Sequence, residues 1–158
     1  VAATLRPRSR PSESIDAVTE IKFFFNVDDK MGFACKWVKK AFEDGRKLIV
    51  YAPAGRMADD FDRRLWDFSQ LSFVPHVKAS HPLAAETPIV IAGDDNNLPH
   101  HEVLLNLDDD PPPFFSRFDI LREVVSSDDE DRAKARERTR FYKSRGFDVT
   151  HQDMKANG

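Results

Sequence analysis

One cysteine, Cys35, stands among 158 residues, which excludes an intramolecular disulfide and any cysteine-paired zinc site. The chain has no G-x-G-x-x-G after an apolar run and no G-x-x-x-x-G-K-[ST], so the backbone cradles that hold nucleotide phosphates are missing in recognised form. No uninterrupted apolar stretch approaches the roughly 20 residues of a membrane span, and a soluble, cytoplasmic protein is expected. A surplus of positive charge is also lacking. Lys and Arg number 24 against 27 Asp and Glu, a formal charge of -3, whereas bulk nucleic acid usually draws a basic domain. What remains is a globular composition rich in phenylalanine, in a length that suits one domain.

Residues 1–19 carry Arg6, Arg8, Arg10, Pro7 and Pro11 with few large apolar groups, so this stretch is expected to be a disordered N-terminal extension. The fold is expected to span residues 20–158 as a single domain. EIKFFFNV at 20–27 and KLIVYA at 47–52 read as buried strands. Between them, Phe33, Ala34, Trp37, Val38, Ala41 and Phe42 recur at three and four, an amphipathic helix over 31–44 stopped by Gly45. Strand, helix and strand over this length form a βαβ unit and imply a parallel pair. A second helix over 56–68 points Met57, Phe61, Leu65, Trp66 and Phe68 inward. Further strands follow at 72–77, 88–92, 102–107 and 118–125, and the tail from 147 is either irregular or a short edge strand. Alternation of this kind predicts a three-layer α/β fold with a mostly parallel central sheet and flanking helices.

The last helix, DDEDRAKARERTRFYKSRG at 128–146, says most about function. At about 100° per residue, Arg132, Arg136, Arg140 and Lys143 share a stripe roughly 80° wide, with Thr139 among them. On an acidic background such a stripe suits a small anionic target, although cations toward a helix C-terminus also complement the macrodipole. Ser127 followed by Glu130 reads as a capping box at the helix start. Phe141, Tyr142, Ala133 and Ala135 would supply the inward contacts.

Other chemistry-bearing groups point less far. His76, His81, His100, His101 and Glu102, with Asp94, Asp95 and the aspartates at 108–110, lack metal-ligand spacing, and Cys35 falls mid-helix, where a packed thiol is inert. No cofactor or metal is expected. Trp66, Phe73, Val74 and Pro75 either close the core or form an exposed interaction patch. The run PPPFF at 111–115 reads as a stiff connector whose phenylalanines plug the sheet edge.

Taken in order, FFFNV at 23–27, WVKKAFEDGR at 37–46, LW at 65–66, SFVPH at 72–76, VLLNL at 103–107, PPFFSRF at 112–118 and ARERTRFY at 135–142 resemble the chi subunit of bacterial DNA polymerase III holoenzyme, a clamp-loader accessory family. The resemblance covers about residue 20 to 154. It implies a Rossmann-like fold without a nucleotide site, and an adaptor in place of an enzyme. It implies two partners: the acidic C-terminal tail of single-stranded DNA-binding protein, at Arg136 and Arg140 flanked by Arg132, Thr139 and Lys143, and the psi subunit, at a surface centred on Trp66, Phe73 and Pro75 with Val74. No direct nucleic acid and no homo-oligomer are required. The competing classes are a degenerate nucleotide-dependent hydrolase using Asp94, Asp95 or the 108–110 carboxylates, and a single-stranded DNA-binding module using the same arginine stripe.

Overall fold

Three four-residue runs, β2 (Leu48–Tyr51), β4 (Ile89–Ala92) and β5 (Val103–Asn106), are buried at every position, as expected of strands covered on both faces. They form the middle of a seven-stranded sheet in a computed structural model that describes residues 18–68 and 74–155. The other strands are β1 (Glu20–Val27), β3 (His76–Lys78), β6 (Ile120–Ser126) and β7 (Val149–Asp153), and the helices are α1 (Lys30–Glu43), α2 (Gly55–Phe68) and α3 (Asp129–Ser144). The spatial order is β3-β4-β2-β5-β6-β1-β7, and each neighbouring pair is parallel. β1 and β2, joined through α1, are therefore parallel but do not pair. β5 and β6 lie between them, so the crossover spans two intervening strands.

Side chains alternate between the two faces with the period of a strand. Phe24, Leu48, Val50, Ile91 and Leu105 face α1 and α2, together with Phe61 and Leu65 from α2. Phe23, Ile49, Val90, Leu104 and Val125 face the opposite way, toward Ala135 and Tyr142 of α3. This is the three-layer α/β fold that the alternation of elements predicts. Phe114 and Phe115 do not plug the sheet edge. They fill the second face, with Phe114 edge-on to Tyr51 at 5.3 Å and Phe115 against Tyr142 at 4.9 Å and Phe147 at 5.0 Å, because the space between the sheet and α3 needs large rings at that end.

The tail resolves into an edge strand, with Ile21 opposite Val149 and Phe25 opposite Asp153. Asn26 takes a left-handed backbone (φ 61°), which asparagine tolerates better than most residues. There the β1 register against β6 shifts, and Asn26 Nδ2 donates to Asp153 Oδ1 at 3.0 Å. One residue thus interrupts the β1–β6 register and pins the far end of β7. β3 is shorter than the expected 72–77. Pro75 precedes it without an N–H to give a ladder, and residues 72 and 73 lie outside the described residues. Among the described residues no helix is long and apolar enough to cross a membrane.

Candidate functional site

The helix α3 begins one residue later than its capping motif predicts. Asp128, not Ser127, is the N-cap: its carboxylate accepts from the amides of Glu130 and Asp131, both at 3.2 Å. A charged acceptor at the positive helix end outcompetes a hydroxyl, and Glu130 then sits too close to the cap to close a capping box. Asp131 accepts from the Ser126 amide at 2.8 Å and from Lys30 Nζ at 3.4 Å. Burial works against that carboxylate, but the amide and Lys30 outweigh it and hold it below the usual range.

The inward face of α3 is Ala135, Arg138 and Tyr142. Ala133, expected inside, is exposed, and Phe141 is half-buried. Arg138, 2% exposed, is the residue that helical spacing leaves out of the stripe, about 160° or more from its centre at the same angular step. Its Nε donates to Glu123 Oε1 at 3.0 Å and its Nη1 to the Asp109 carbonyl at 2.8 Å. Tyr142 and Asn106 also donate to Glu123. Burial pushes the Glu123 carboxyl up, against the pull of Arg138, Tyr142 and Asn106. Burial likewise raises the Tyr142 phenol, which Glu123 reinforces.

On the flank of α3 beside this buried pair lies a groove of about 230 Å³, lined by Phe23, Phe25, Val125, Arg132, Ala135, Arg136, Thr139 and His151. Its floor is apolar and comes from β1 and β6; its rim is cationic and comes from α3. Of the predicted stripe, Arg132, Arg136 and Thr139 line the groove. Arg136 has no ion-pair or hydrogen-bond partner among the described residues, and Arg132 only approaches Asp129, at 4.0 Å. Arg140 is exposed and turned onto Glu137, and Lys143 stands on the last turn near His151. The stripe therefore divides: Arg132, Arg136 and Thr139 frame a groove, and Arg140 and Lys143 do not. His151 and the phenylalanine floor are absent from the sequence-derived site. The one signal for the floor was the FFF run of β1, and nothing local in VTHQD marked the histidine.

The second predicted surface is assembled in part. Trp66 is 47% exposed and its ring lies 4.7 Å from the buried His76 ring. His76 Nδ1–H donates to the Val74 carbonyl at 2.8 Å, and Nε2 lies 3.1 Å from Asp62 Oδ1. Pro75 is half-buried. Val74 is 1% exposed and belongs to the core, because its side of the chain faces the sheet, so it supports this surface from beneath and is not part of it. Phe73 lies outside the described residues. Phe68, expected inside, is 39% exposed.

At the carboxyl ends of the strands, where α/β folds hold nucleotides, the loops carry Asp28, Asp29, Asp94, Asp95, Asp108, Asp109, Asp110, Asp128 and Asp129. Burial, with Asp108, Asp110 and Asp94, raises the Tyr51 phenol at the base of this rim. Like charges at such spacing repel a phosphate. Among the described residues no group of three His, Cys, Asp or Glu side chains gathers as a metal site. Cys35 lies on the buried face of α1, and burial, with Asp29 and Asp60 adding and Arg64 opposing, pushes its thiol up to about 11, which makes it a poor nucleophile.

Fold and groove together define a three-layer α/β domain with a cationic groove on a helix flank and no recognised phosphate-loop motif. The chain belongs to the DNA polymerase III chi subunit family: the model described as DNA polymerase III chi subunit, HolC, matches residues 18–150. It is 28% identical over 118 residues to the DNA polymerase III subunit chi of Pseudomonas aeruginosa, covering 75% of this chain and 82% of that protein. With the subunit of the same name from Haemophilus influenzae it shares 27% over 122 residues, 77% of this chain and 85% of the relative. The family is a non-catalytic accessory subunit of the polymerase, so the role is one of replisome accessory and the hydrolase reading falls.

Proposed function

We propose that the chain is a replisome adaptor whose α3 groove takes the acidic C-terminal tail of single-stranded DNA-binding protein, and whose Trp66 and Pro75 surface takes the psi subunit of the clamp loader. The observation that carries the first half is Arg136: a guanidinium without a partner among the described residues, over an apolar floor of Phe23, Phe25 and Val125. An acidic tail ending in an aromatic residue offers an apolar ring for the floor and carboxylates for the rim, and arginine can hold a carboxylate through two N–H donors at once. Hydrogen bonds to charged groups contribute about 1.5 to 3 kcal/mol each, so two of them with a buried ring reach micromolar binding, about -8 kcal/mol. A nucleic-acid strand would meet the acidic start of α3 at Asp128, Asp129 and Glu130, which disfavours the single-stranded DNA reading.

Fluorescence anisotropy with a labelled acidic peptide ending in phenylalanine tests the site. Arg136→Ala is expected to weaken binding about tenfold or more, as the loss of one charge-assisted bond implies. Arg140→Ala, whose guanidinium is turned onto Glu137 outside the groove, is expected to change it less than about threefold. Equal binding by wild type and a folded Arg136→Ala variant would sink the assignment.

A further inference from the structure

The groove wall that faces α3 is His151, at the middle of β7. Its ring stacks on Phe23 at 5.1 Å and 21° and meets Phe25 edge-on at 6.2 Å. Its Nε2 lies 3.4 Å from Thr139 Oγ1, so the ring bridges sheet and helix at the mouth of the groove. The register of β7 fixes this placement, because His151 pairs with Phe23 and the strand end is pinned by Asn26. The ring is at once an aromatic wall and the one groove-lining group that ionises between about pH 5 and pH 8.

The charges around it are one-sided. From α3 come Arg132 and Arg136 in the groove and Lys143 beside it; β1 presents Phe23 and Phe25, and β6 presents Val125 and, in register with Phe23 and His151, Glu123, whose carboxylate is buried and paired with Arg138. On β7 itself Asp153 shares the strand face two residues on, but it accepts from Asn26 Nδ2 and from the Lys155 amide, each at 3.0 Å. Partial burial, and then Lys143, hold the imidazole below its ordinary range in the empty groove. A carboxylate entering among these cations reverses that balance.

We infer that His151 is a specificity-determining residue of this groove that gains a proton when a carboxylate fills it, so that an acidic peptide binds with uptake of a proton. The inference rests on the groove being the acidic-tail site. The sign follows from linkage. Binding raises the proton affinity of the ring, so peptide affinity climbs as pH falls through the bound-state value and levels off below the free-state value. Peptide carboxylates stay ionised above about pH 5 and do not confuse the window.

Anisotropy of the same labelled peptide against the full chain, from about pH 8 to about pH 5.5, is the test, with His151→Gln and His151→Phe alongside. Wild-type affinity is expected to rise roughly three- to tenfold across that window and to stay flat in both variants. In proton NMR the His151 ring resonance should titrate at higher pH with saturating peptide than without it. The same pH profile in wild type and variants, or a ring titration unmoved by peptide, would overturn the inference. Tight, Arg136-dependent binding with a flat profile would remove only the role of His151; absence of binding at every pH would remove the groove assignment and this inference with it.

Discussion

Arg136 and Arg138 sit two residues apart on α3 and face opposite ways, one over an open groove and one into the core. Burying a guanidinium is costly, and the pair with Glu123 offsets part of that cost with the help of Tyr142, Asn106 and the Asp109 carbonyl, while Arg138 Nη2 is buried without a hydrogen-bond partner among the described residues. Removing one partner leaves the other charged and unpaired, so Arg138→Ala is expected to destabilise the fold by about 3 to 5 kcal/mol. Tyr142→Phe, which deletes one donor to a charged group and keeps the ring, is expected to lose about 1.5 to 3 kcal/mol. Urea unfolding at neutral pH measures both, and a loss for Arg138→Ala below that of Tyr142→Phe would contradict the network as described. The Arg138 guanidinium also lies 5.8 Å from the centre of the Phe23 ring, so the buried pair supports the groove floor from below. Nothing in the composition separates Arg138 from its neighbours. Its only mark in the sequence is its helical angle, shared with Ala135 and Tyr142 and opposite to the stripe.

Among the elements, those with strong local signals were legible. β1, β2, β4 and β5 are mostly apolar runs, β6 has apolar residues on both sides of Arg122 and Glu123, and α1 and α2 carry apolar side chains at three and four. The tail at β7 reads equally as strand or irregular segment, because VTHQD at an edge has no apolar alternation and takes its shape from β1. The start of α3 differs by one residue from the capping motif for a related reason: Ser127, Asp128 and Asp129 are all competent caps, and the junction with β6 decides among them. Ser127 is packed there, with its Oγ buried and unbonded among the described residues, while Asp128 reaches the two free amides. Asp128→Ala is therefore expected to lower stability by about 1 kcal/mol, within the range of about 0.5 to 2 for lost caps, and Ser127→Ala by less. Thermal unfolding of the two variants separates them; a larger loss for Ser127→Ala would restore the capping box.

For the whole molecule, the candidate site was legible as charge and illegible as shape. The arginines lie within one helix, where angular spacing alone brings them together, but the floor comes from β1, more than a hundred residues earlier, and the wall from β7. Only the strand order places these beside α3. Scale also matters for how a ligand arrives. The chain carries a net charge of -3, which repels an acidic peptide only weakly from afar, because charges more than a Debye length apart, about 10 Å at about 0.1 M salt, are largely screened. Inside that distance the rim of Arg132 and Arg136 dominates. Salt thus screens two opposing effects on approach, but only one, the attraction, in the bound state. Stopped-flow mixing of labelled peptide between about 0.05 and 0.5 M salt should show dissociation accelerating about tenfold, with association changing less than about threefold and staying near the unsteered 10⁵–10⁶ M⁻¹s⁻¹. An association rate that falls steeply with salt would mean that the groove's own field, and not the acidic body of the protein, governs the encounter.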